Sequence, residues 1–347
     1  SHPLSDPQGG SARFERLQPG RLLLVRQGAI VADVPPPGTG SMPPPSLSSR
    51  WLQLRPDPAP VRTFEIRHLT VYTYSQPVQR STHVFRVEPL DDRLQRLERF
   101  DLSVSVDGKV RAYDDVFGNR ARKMDINQPF TELRVDARSR VTVFDTHPFE
   151  TRLQQRRGGI PLVWMPWQRE ILAPYLLPPE LPEPMLRELT DYAMSFVERN
   201  DFDVLDTLFD LNTTIFREYR YEQGSTNLAT TAFDVYENRR GVCQDFANLF
   251  ICLSRLLGIP ARYACGYIGG VQPANQAQAA ASHAWMQVYL PELGWKGLDP
   301  TNGIVTQTEH VRVAVGRNYV DASPTAGTLF EGGGMETLWV EVSVEPG

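Results

Sequence analysis

Three side chains suited to acyl chemistry lie in one part of the chain, namely Cys243, His283 and Asp299. Cys243 begins an apolar pattern of helical period, so its thiol is expected at the first turn of a helix. The free N–H groups and dipole of a helix N-terminus favour the thiolate, which is the nucleophilic form of cysteine. An imidazole can then act as the base, and a carboxylate can orient that imidazole. The residue types predict a Cys-His-Asp triad.

A predicted strand pair must bring the base and the acid together. Residues 282–290 alternate in polarity, which predicts a strand that begins near His283 and places Trp285 on the same face. That tryptophan could shield the imidazole from water. A short turn centred near residue 292 leads into a second strand, so position 283 pairs with about 301. Asp299 then lies within about one pairing step of His283. A histidine beside a tryptophan is more often structural, so the prediction depends on all three residues together.

Helices are predicted on the N-terminal side of this strand pair. Apolar residues recur at helical spacing over Pro184–Arg199 and Val204–Tyr221. A third helix is predicted to begin at Cys243 and to end at Gly258, and Gly241 permits a tight entry into it.

The chain has three cysteines, which are too few and of the wrong parity for a disulfide framework. Cys252 and Cys265 lie among apolar neighbours and are expected to be inert core residues. Free thiols suit a reducing compartment, so a cytoplasmic location is expected. The formal charge of −5 and the pI near 5.8 predict no nucleic-acid partner. No apolar run reaches the roughly 18 residues of a membrane helix, and no signal peptide is recognised.

Four segments are expected. Residues 1–60 hold 12 of the 29 prolines and are predicted to be an arm with a hairpin around Gln27-Gly28. That arm is either a disordered tail or linker, or an extension that docks on the body or on a second subunit. Residues 61–146 contain at least six short strand patterns, which predict an antiparallel β-sandwich. Residues 147–183 are predicted to be a Pro-rich crossing segment pinned by Trp164 and Trp167. Residues 184–347 are predicted to be the catalytic core.

Two turns are predicted inside the β-domain. Asp107-Gly108 separates two strand patterns and predicts a two-residue hairpin. Phe117-Gly118-Asn119 predicts another turn.

Three segments resemble the bacterial transglutaminase-like superfamily. They read GVCQDFANLFICLSRLLGIPARYACGYI, ASHAWMQVYLPELGWKGLDPTNG and VAVGRNYVDASP. The earlier segment HLTVYTYSQPVQRSTHVFRVEP resembles the N-terminal β-domain of bacterial members. The resemblance spans roughly residues 61–345. It implies an α+β fold, with an antiparallel β-sandwich ahead of a papain-like core whose Cys helix packs on an antiparallel sheet. It also implies that Cys243 is the nucleophile, His283 the base and Asp299 the orienting acid.

The surroundings of the triad are predicted with less detail. The backbone N–H of Cys243 is expected to be one oxyanion donor. Tyr221 is a candidate for the second donor, with a packing tyrosine as the alternative. The candidates for the substrate cleft are Gln244, Trp285 and Asp321, although Gln244 and Asp245 could serve only to fix the helix start. The loop Gly269–Ala281 is a candidate lid.

The resemblance implies a thiol-dependent hydrolase of amide, peptide or isopeptide bonds that forms an acyl-thioester. It further implies peptide or γ-glutamyl-type amide substrates and no cofactor or metal. One alternative is a transglutaminase that transfers the acyl group to an amine. Related animal enzymes usually need calcium, and the sequence has no acidic loop with EF-hand spacing. Another alternative is a binding or scaffold protein whose triad is masked by the N-terminal arm.

Overall fold

We analysed a computed structural model. It describes the following residues: the backbone of 22–26 and 29–34, and residues 61–144, 159–227, 229–269, 282–291 and 293–347. Strands β1 (Leu22–Arg26) and β2 (Ala29–Val34) pair antiparallel and belong to a compact unit of their own. The hairpin predicted in the arm is thereby confirmed. The rest of the arm and most of the candidate lid loop lie outside the described residues, as does His147 at the start of the crossing segment.

The N-terminal β-domain is built around one long strand. Its strands are β3 (Val61–Phe85), β4 (Gln95–Val104), β5 (Lys109–Asp114), β6 (Arg120–Ile126) and β7 (Phe130–Phe144). The first half of β3 pairs with β7, and its last five residues pair with β6. A shared apolar core contains residues from both halves, including Tyr74, Phe85, Ile126 and Leu133. This arrangement is the predicted sandwich, in which one strand serves both layers.

The hairpin predicted at Asp107-Gly108 is wrong. Strands β4 and β5 lie at opposite ends of the sheet order, and each pairs with another strand. A type I′ turn needs positive φ at its central residues, and Gly108 does not have it. Gly108 instead lies against β6, where an added Cβ would be 2.8 Å from the carbonyl oxygen of Asp125. The turn at Phe117-Gly118-Asn119 is confirmed, with φ of 80° at Gly118.

Helices form one layer of the following domain. They are α1 (Pro166–Leu176), α2 (Glu183–Arg199), α3 (Val204–Glu218), α4 (Ala232–Asn238) and α5 (Cys243–Leu256). Helix α3 ends before its predicted limit because β8 (Arg220–Tyr221) pairs in parallel with β9 (Arg240–Gly241). In the crossing segment the Trp164 indole donates to the carbonyl of Gly258, whereas the Trp167 side chain is exposed.

A five-stranded sheet forms the second layer. Its strands are β10 (Ala261–Ile268), β11 (His283–Leu290), β12 (Gly294–Asp299), β13 (Ile304–Val305) and β14 (His310–Gly316). Their order is β13-β12-β11-β10-β14, and all pairs are antiparallel. The alternate residues Ala284, Met286, Val288 and Leu290 face the helices in one apolar core, as their spacing predicts. The α+β class, with a Cys helix packed on an antiparallel sheet, is confirmed.

The end of the chain returns to the N-terminal domain. After the short helix α6 (Tyr319–Ala322), strands β15 (Thr325–Gly332) and β16 (Glu336–Pro346) both pair with β3. The segment from residue 325 onward therefore completes the β-sandwich rather than the core in which it was expected. The physical reason is the length of β3, whose second edge needs hydrogen-bonding partners along both halves.

Candidate active site

Cys243 is the first residue of α5 and is half-buried. The carboxylate of Asp245 accepts the N–H of Val242 at 2.8 Å. Asp245 thereby fixes the start of the helix, which is the structural role considered for it from the sequence. The same carboxylate accepts the hydroxyl of Thr226 at 2.6 Å, which ties the preceding loop to this turn. Burial raises the pKa of Asp245 despite these hydrogen bonds.

Position 241 needs a glycine because the side chain of Asp245, on the first turn of α5, lies very close to it. A Cβ added to it would lie 2.8 Å from the Cβ of Asp245 and 2.9 Å from the nearer carboxylate oxygen. Gly241 is therefore needed because it has no side chain, and not because its backbone is left-handed, since its φ is not positive.

His283 and Asp299 form a buried pair beside the thiol. The Nε2 atom of His283 lies 2.8 Å from Oδ2 of Asp299, and the side chains are 3% and 0% exposed. Their strands pair with Met286 opposite Leu298, which is the register centred on residue 292 that the turn predicts. Because an ionised carboxylate can only accept, Nε2 carries the hydrogen and Nδ1 is left for the thiol.

The electrostatics favour a charged His283. Burial lowers the pKa of this imidazole, but the charge of Asp299 and hydrogen bonds to Asp299 and Cys243 raise it to about 10. Burial also opposes ionisation of Asp299, yet the nearby imidazoles of His283 and His310 hold its pKa far below the ordinary value. The side-chain interaction between the thiol and the imidazole links all three predicted catalytic residues.

Asp299 accepts five hydrogen bonds, and two of its partners were missed by sequence reasoning. Oδ1 accepts the backbone N–H groups of Thr301 and Asn302 at 3.0 and 3.2 Å. Oδ2 accepts from His283, from Nδ2 of Asn302 at 2.8 Å and from Nε2 of His310 at 3.1 Å. The sequence Asp-Pro-Thr-Asn carries the turn signal that could have indicated Asn302. No local signal points to His310.

Three residues of this cluster form a candidate metal site among the described residues. Ligand-type atoms of His283, Asp299 and His310 all lie within 4.8 Å of one another. However, each imidazole already directs an N–H toward Asp299, and a metal would have to displace these hydrogen bonds. The arrangement fits a hydrogen-bonded network better than a metal centre.

Tyr221 lies near the nucleophile through the small parallel pair. It pairs with Gly241, and its ring makes an edge contact with Phe246 on the first turns of α5. Burial and the neighbouring Cys243 raise its pKa to about 12, so its hydroxyl keeps its hydrogen at neutral pH. A half-buried phenol with a hydrogen to donate is available on this side of the thiol.

The remaining predicted cleft residues have different surroundings. Gln244 is half-buried on the first turn of α5. Trp285 is fully buried, with its ring stacked beside His283 at 5.9 Å, which matches the shielding expected of it and leaves no indole surface for a substrate. The carboxylate of Asp321 binds the backbone N–H and guanidinium of Arg317.

The other two cysteines are core residues, as predicted. Cys252 is 0% exposed and Cys265 is 4% exposed, and burial raises the pKa of each thiol to about 12. The Cys265 thiol donates to the carbonyl of Ala322. Of the three free cysteines, Cys243 is the one that is not buried.

Comparisons with known proteins agree with this architecture. Residues 64–142 match the family described as the bacterial transglutaminase-like N-terminal region, and residues 192–300 match the transglutaminase-like superfamily. The second match contains Cys243, His283 and Asp299. The chain belongs to the transglutaminase-like superfamily and carries the N-terminal region of its bacterial members. Members of this superfamily are typically cysteine-dependent enzymes.

Several proteins are similar over most of this chain. An uncharacterized protein of Mycobacterium tuberculosis is 28% identical over 301 residues, which cover 82% of this chain and 92% of that protein. A "putative cysteine protease" of Cytophaga hutchinsonii has a similar solved structure, with a TM-score of 0.64, 24% identity, and coverage of 82% and 91%. A protein-glutamine gamma-glutamyltransferase of Pseudomonas aeruginosa is 37% identical over 71 residues, which are 19% of this chain and 11% of that protein.

Proposed function

We propose that this protein is a thiol-dependent hydrolase of amide, peptide or isopeptide bonds. The observation that carries the proposal is the linked set of Cys243, His283 and Asp299. In it a partly accessible thiol at a helix start faces an imidazole that a buried carboxylate orients. This arrangement brings together a nucleophile, a base and an orienting group, as such catalysis requires.

The reaction follows from the atoms in place. The Cys243 sulfur attacks the acyl carbon, and the imidazolium of His283 gives its Nδ1 proton to the departing amine. The C–N bond breaks and an acyl-thioester remains on Cys243. A water molecule then attacks the thioester, His283 accepts its proton, and the C–S bond breaks to release the carboxylic acid and restore the Cys243 thiolate beside the imidazolium. Asp299 accepts from Nε2 throughout and stabilises the charged imidazole.

The developing oxyanion needs donors near the sulfur. The backbone N–H of Cys243 is free of an intrahelical partner because it lies in the first turn of α5. The hydroxyl of Tyr221 is the second donor in this proposal, supported by its pairing with Gly241, its ring contact with Phe246 and the influence of Cys243 on its pKa. In acyl transfer, two donors of this kind contribute a large part of the rate enhancement.

Acyl transfer to an amine is the second candidate. The 71-residue match to a protein-glutamine gamma-glutamyltransferase favours it. Both reactions share the acyl-thioester and differ only in whether water or an amine attacks it. Incubation with a γ-glutamyl amide and a labelled primary amine separates them, since transfer incorporates the label and hydrolysis releases only ammonia and acid.

The substrate is proposed to be a peptide or a γ-glutamyl-type amide in the cytoplasm, where the three free thiols would stay reduced. The direct test is to incubate the protein with a pool of cell peptides, quench with acid, and search for an acyl adduct on Cys243 by mass spectrometry. We expect an adduct on the wild type and on Cys252→Ala, but none on Cys243→Ala. His283→Ala should reduce its formation severely. A wild-type thiol that gives no adduct and no turnover with any such substrate contradicts the proposal.

A further inference from the structure

A second imidazole contacts the triad carboxylate. His310 begins β14, and its Nε2 atom lies 3.1 Å from the same oxygen of Asp299 that accepts from His283. The side chain is 1% exposed, so a substrate cannot contact it. Its ring packs edge-on against Trp285, with ring centroids 5.0 Å apart. Because Asp299 accepts, Nε2 of His310 must also carry a hydrogen.

The other nitrogen of this imidazole faces a buried carboxylate. Nδ1 of His310 lies 3.5 Å from Oε1 of Glu309, and both side chains are 1% exposed. Neither this nitrogen nor either oxygen of Glu309 has a hydrogen-bond partner among the described residues. A buried carboxylate without partners is costly, so the adjacent imidazole is the group that stabilises it. Glu309 and His310 thus form a second buried carboxylate–imidazole pair next to the pair of Asp299 and His283.

We propose that His310, supported by Glu309, is a positioning residue that holds Asp299 in the orientation needed by His283. With Oδ2 held from three sides, Asp299 cannot rotate away, and His283 keeps its hydrogen on Nε2 and its Nδ1 toward Cys243. The inference deepens the proposed function and rests on it. By analogy with the hydrogen-bond partners that orient metal ligands, whose removal costs about 10–100-fold in activity, we expect a loss of that order here.

Titratable groups approach His310 from three neighbouring parts of the sheet. Asp299 is on β12, His283 is on β11, and Glu309 precedes β14. A small cavity beside the ring is also lined by Lys296 and Arg312. Burial lowers the pKa of His310, but the hydrogen bond to Asp299 and the charges of Asp299 and Glu309 raise it above its ordinary value.

The test uses the full-length protein and needs no substrate. The rate of Cys243 alkylation by iodoacetamide is measured at pH 6.5, where the thiolate depends on the oriented imidazole, and at pH 9.5, where a thiol of ordinary pKa near ~8.5 ionises without help. His310→Phe should lower the ratio of the two rates about tenfold. His310→Gln retains an N–H for Asp299 and should keep the ratio close to that of the wild type.

Matched variants separate positioning from packing. His83→Phe removes another buried imidazole, in the β-domain, and should leave the ratio unchanged. Glu309→Gln keeps the side-chain volume and should lower the ratio less than His310→Phe does. It also serves as the test if His310→Phe does not fold, as monitored by thermal unfolding. Equal ratios for the Phe and Gln variants at position 310 would overturn the inference, as would a Phe variant that matches the wild type.

The two proposals fail in different ways. A wild type that is alkylated rapidly at pH 6.5 but forms no acyl adduct contradicts the hydrolase, and the role of His310 is still decided by its variants. With an active wild type, His310→Phe should lower kcat about 10–100-fold with little change in KM. A rise in KM with unchanged kcat would instead indicate that His310 acts in substrate binding, and it would contradict the positioning role.

Discussion

Replacing Asp299 by asparagine tests the electrostatic basis of the site. The amide is nearly isosteric but has one acceptor and one donor end, whereas both carboxylate oxygens of Asp299 accept. With the amide oxygen toward His283, its NH₂ group would oppose the N–H groups of Thr301 and Asn302. With the NH₂ group toward His283, that imidazole would have to move its hydrogen to Nδ1. Its lone pair would then no longer face Cys243.

The size of the effect follows from the contacts that are lost. Each hydrogen bond to the charged group is worth about 1.5–3 kcal/mol, and either amide orientation disrupts at least two of them. In a serine protease the corresponding wrong-tautomer substitution lowers kcat about 10⁴-fold. We expect Asp299→Asn to lower kcat by about 10²–10⁴-fold, which is less than the loss from removing the thiol.

The pH profile gives a sharper signature. The folded-state pKa of His283 is raised to about 10, so the imidazolium is present below that value and is lost as the pH rises through it. Without the charge of Asp299, the pKa should fall toward the ordinary value near ~6.5 or below it. The basic limb of kcat/KM should therefore move down by several pH units, and activity between about pH 7 and 9 should fall most.

The assay is hydrolysis of a substrate identified by acyl trapping, followed from pH 5 to pH 10.5. Asp136→Asn is the matched control, since it makes the same chemical change at a carboxylate bound to Arg67 in the β-domain instead of the triad. An Asp299→Asn variant whose basic limb coincides with that of the wild type would refute the reasoning. The charge of Asp299 would then not govern His283.

Two further changes test the turn that presents the thiol. Tyr221→Phe removes the proposed oxyanion donor and should lower kcat about 10²–10³-fold with little effect on KM or on iodoacetamide labelling; equal kcat would assign Tyr221 to packing. Gly241→Ala introduces a Cβ 2.8 Å from the Cβ of Asp245, so it should destabilise the fold by about 1–3 kcal/mol in urea unfolding. It should also slow labelling of Cys243, and an unchanged unfolding midpoint would contradict the close approach.

The main parts of the site could be predicted because they depend on local patterns. Cys243 opens a helix whose apolar period is visible in the sequence, and a short hairpin fixes the register that brings Asp299 to His283. The register of a hairpin follows from its turn type and loop length. The same rule failed at Asp107-Gly108, because those strands pair with other partners and the link between them crosses the domain.

His310 could not be predicted for a related reason. It is only eleven residues from Asp299, but no turn joins their strands directly as a hairpin. Strand β14 enters the sheet beyond β10, so the contact with β12 depends on the order of five strands. The return of β15 and β16 to the N-terminal domain is a long-range pairing of the same kind. Spacing in the sequence carries no information about either.

The N-terminal domain contributes to the site through the edge of this sheet. The Gln95 side chain exchanges two hydrogen bonds with the backbone of Arg312, and the Asn119 side chain does the same with Val315. Strand β14 is an edge strand whose outer N–H and C=O groups would otherwise face water. Phe117 and Leu90 of the same domain pack beside Trp285. Because hydrogen bonds to Asp299 are stronger in a dry interior, the β-sandwich strengthens the contacts that orient Asp299 toward His283.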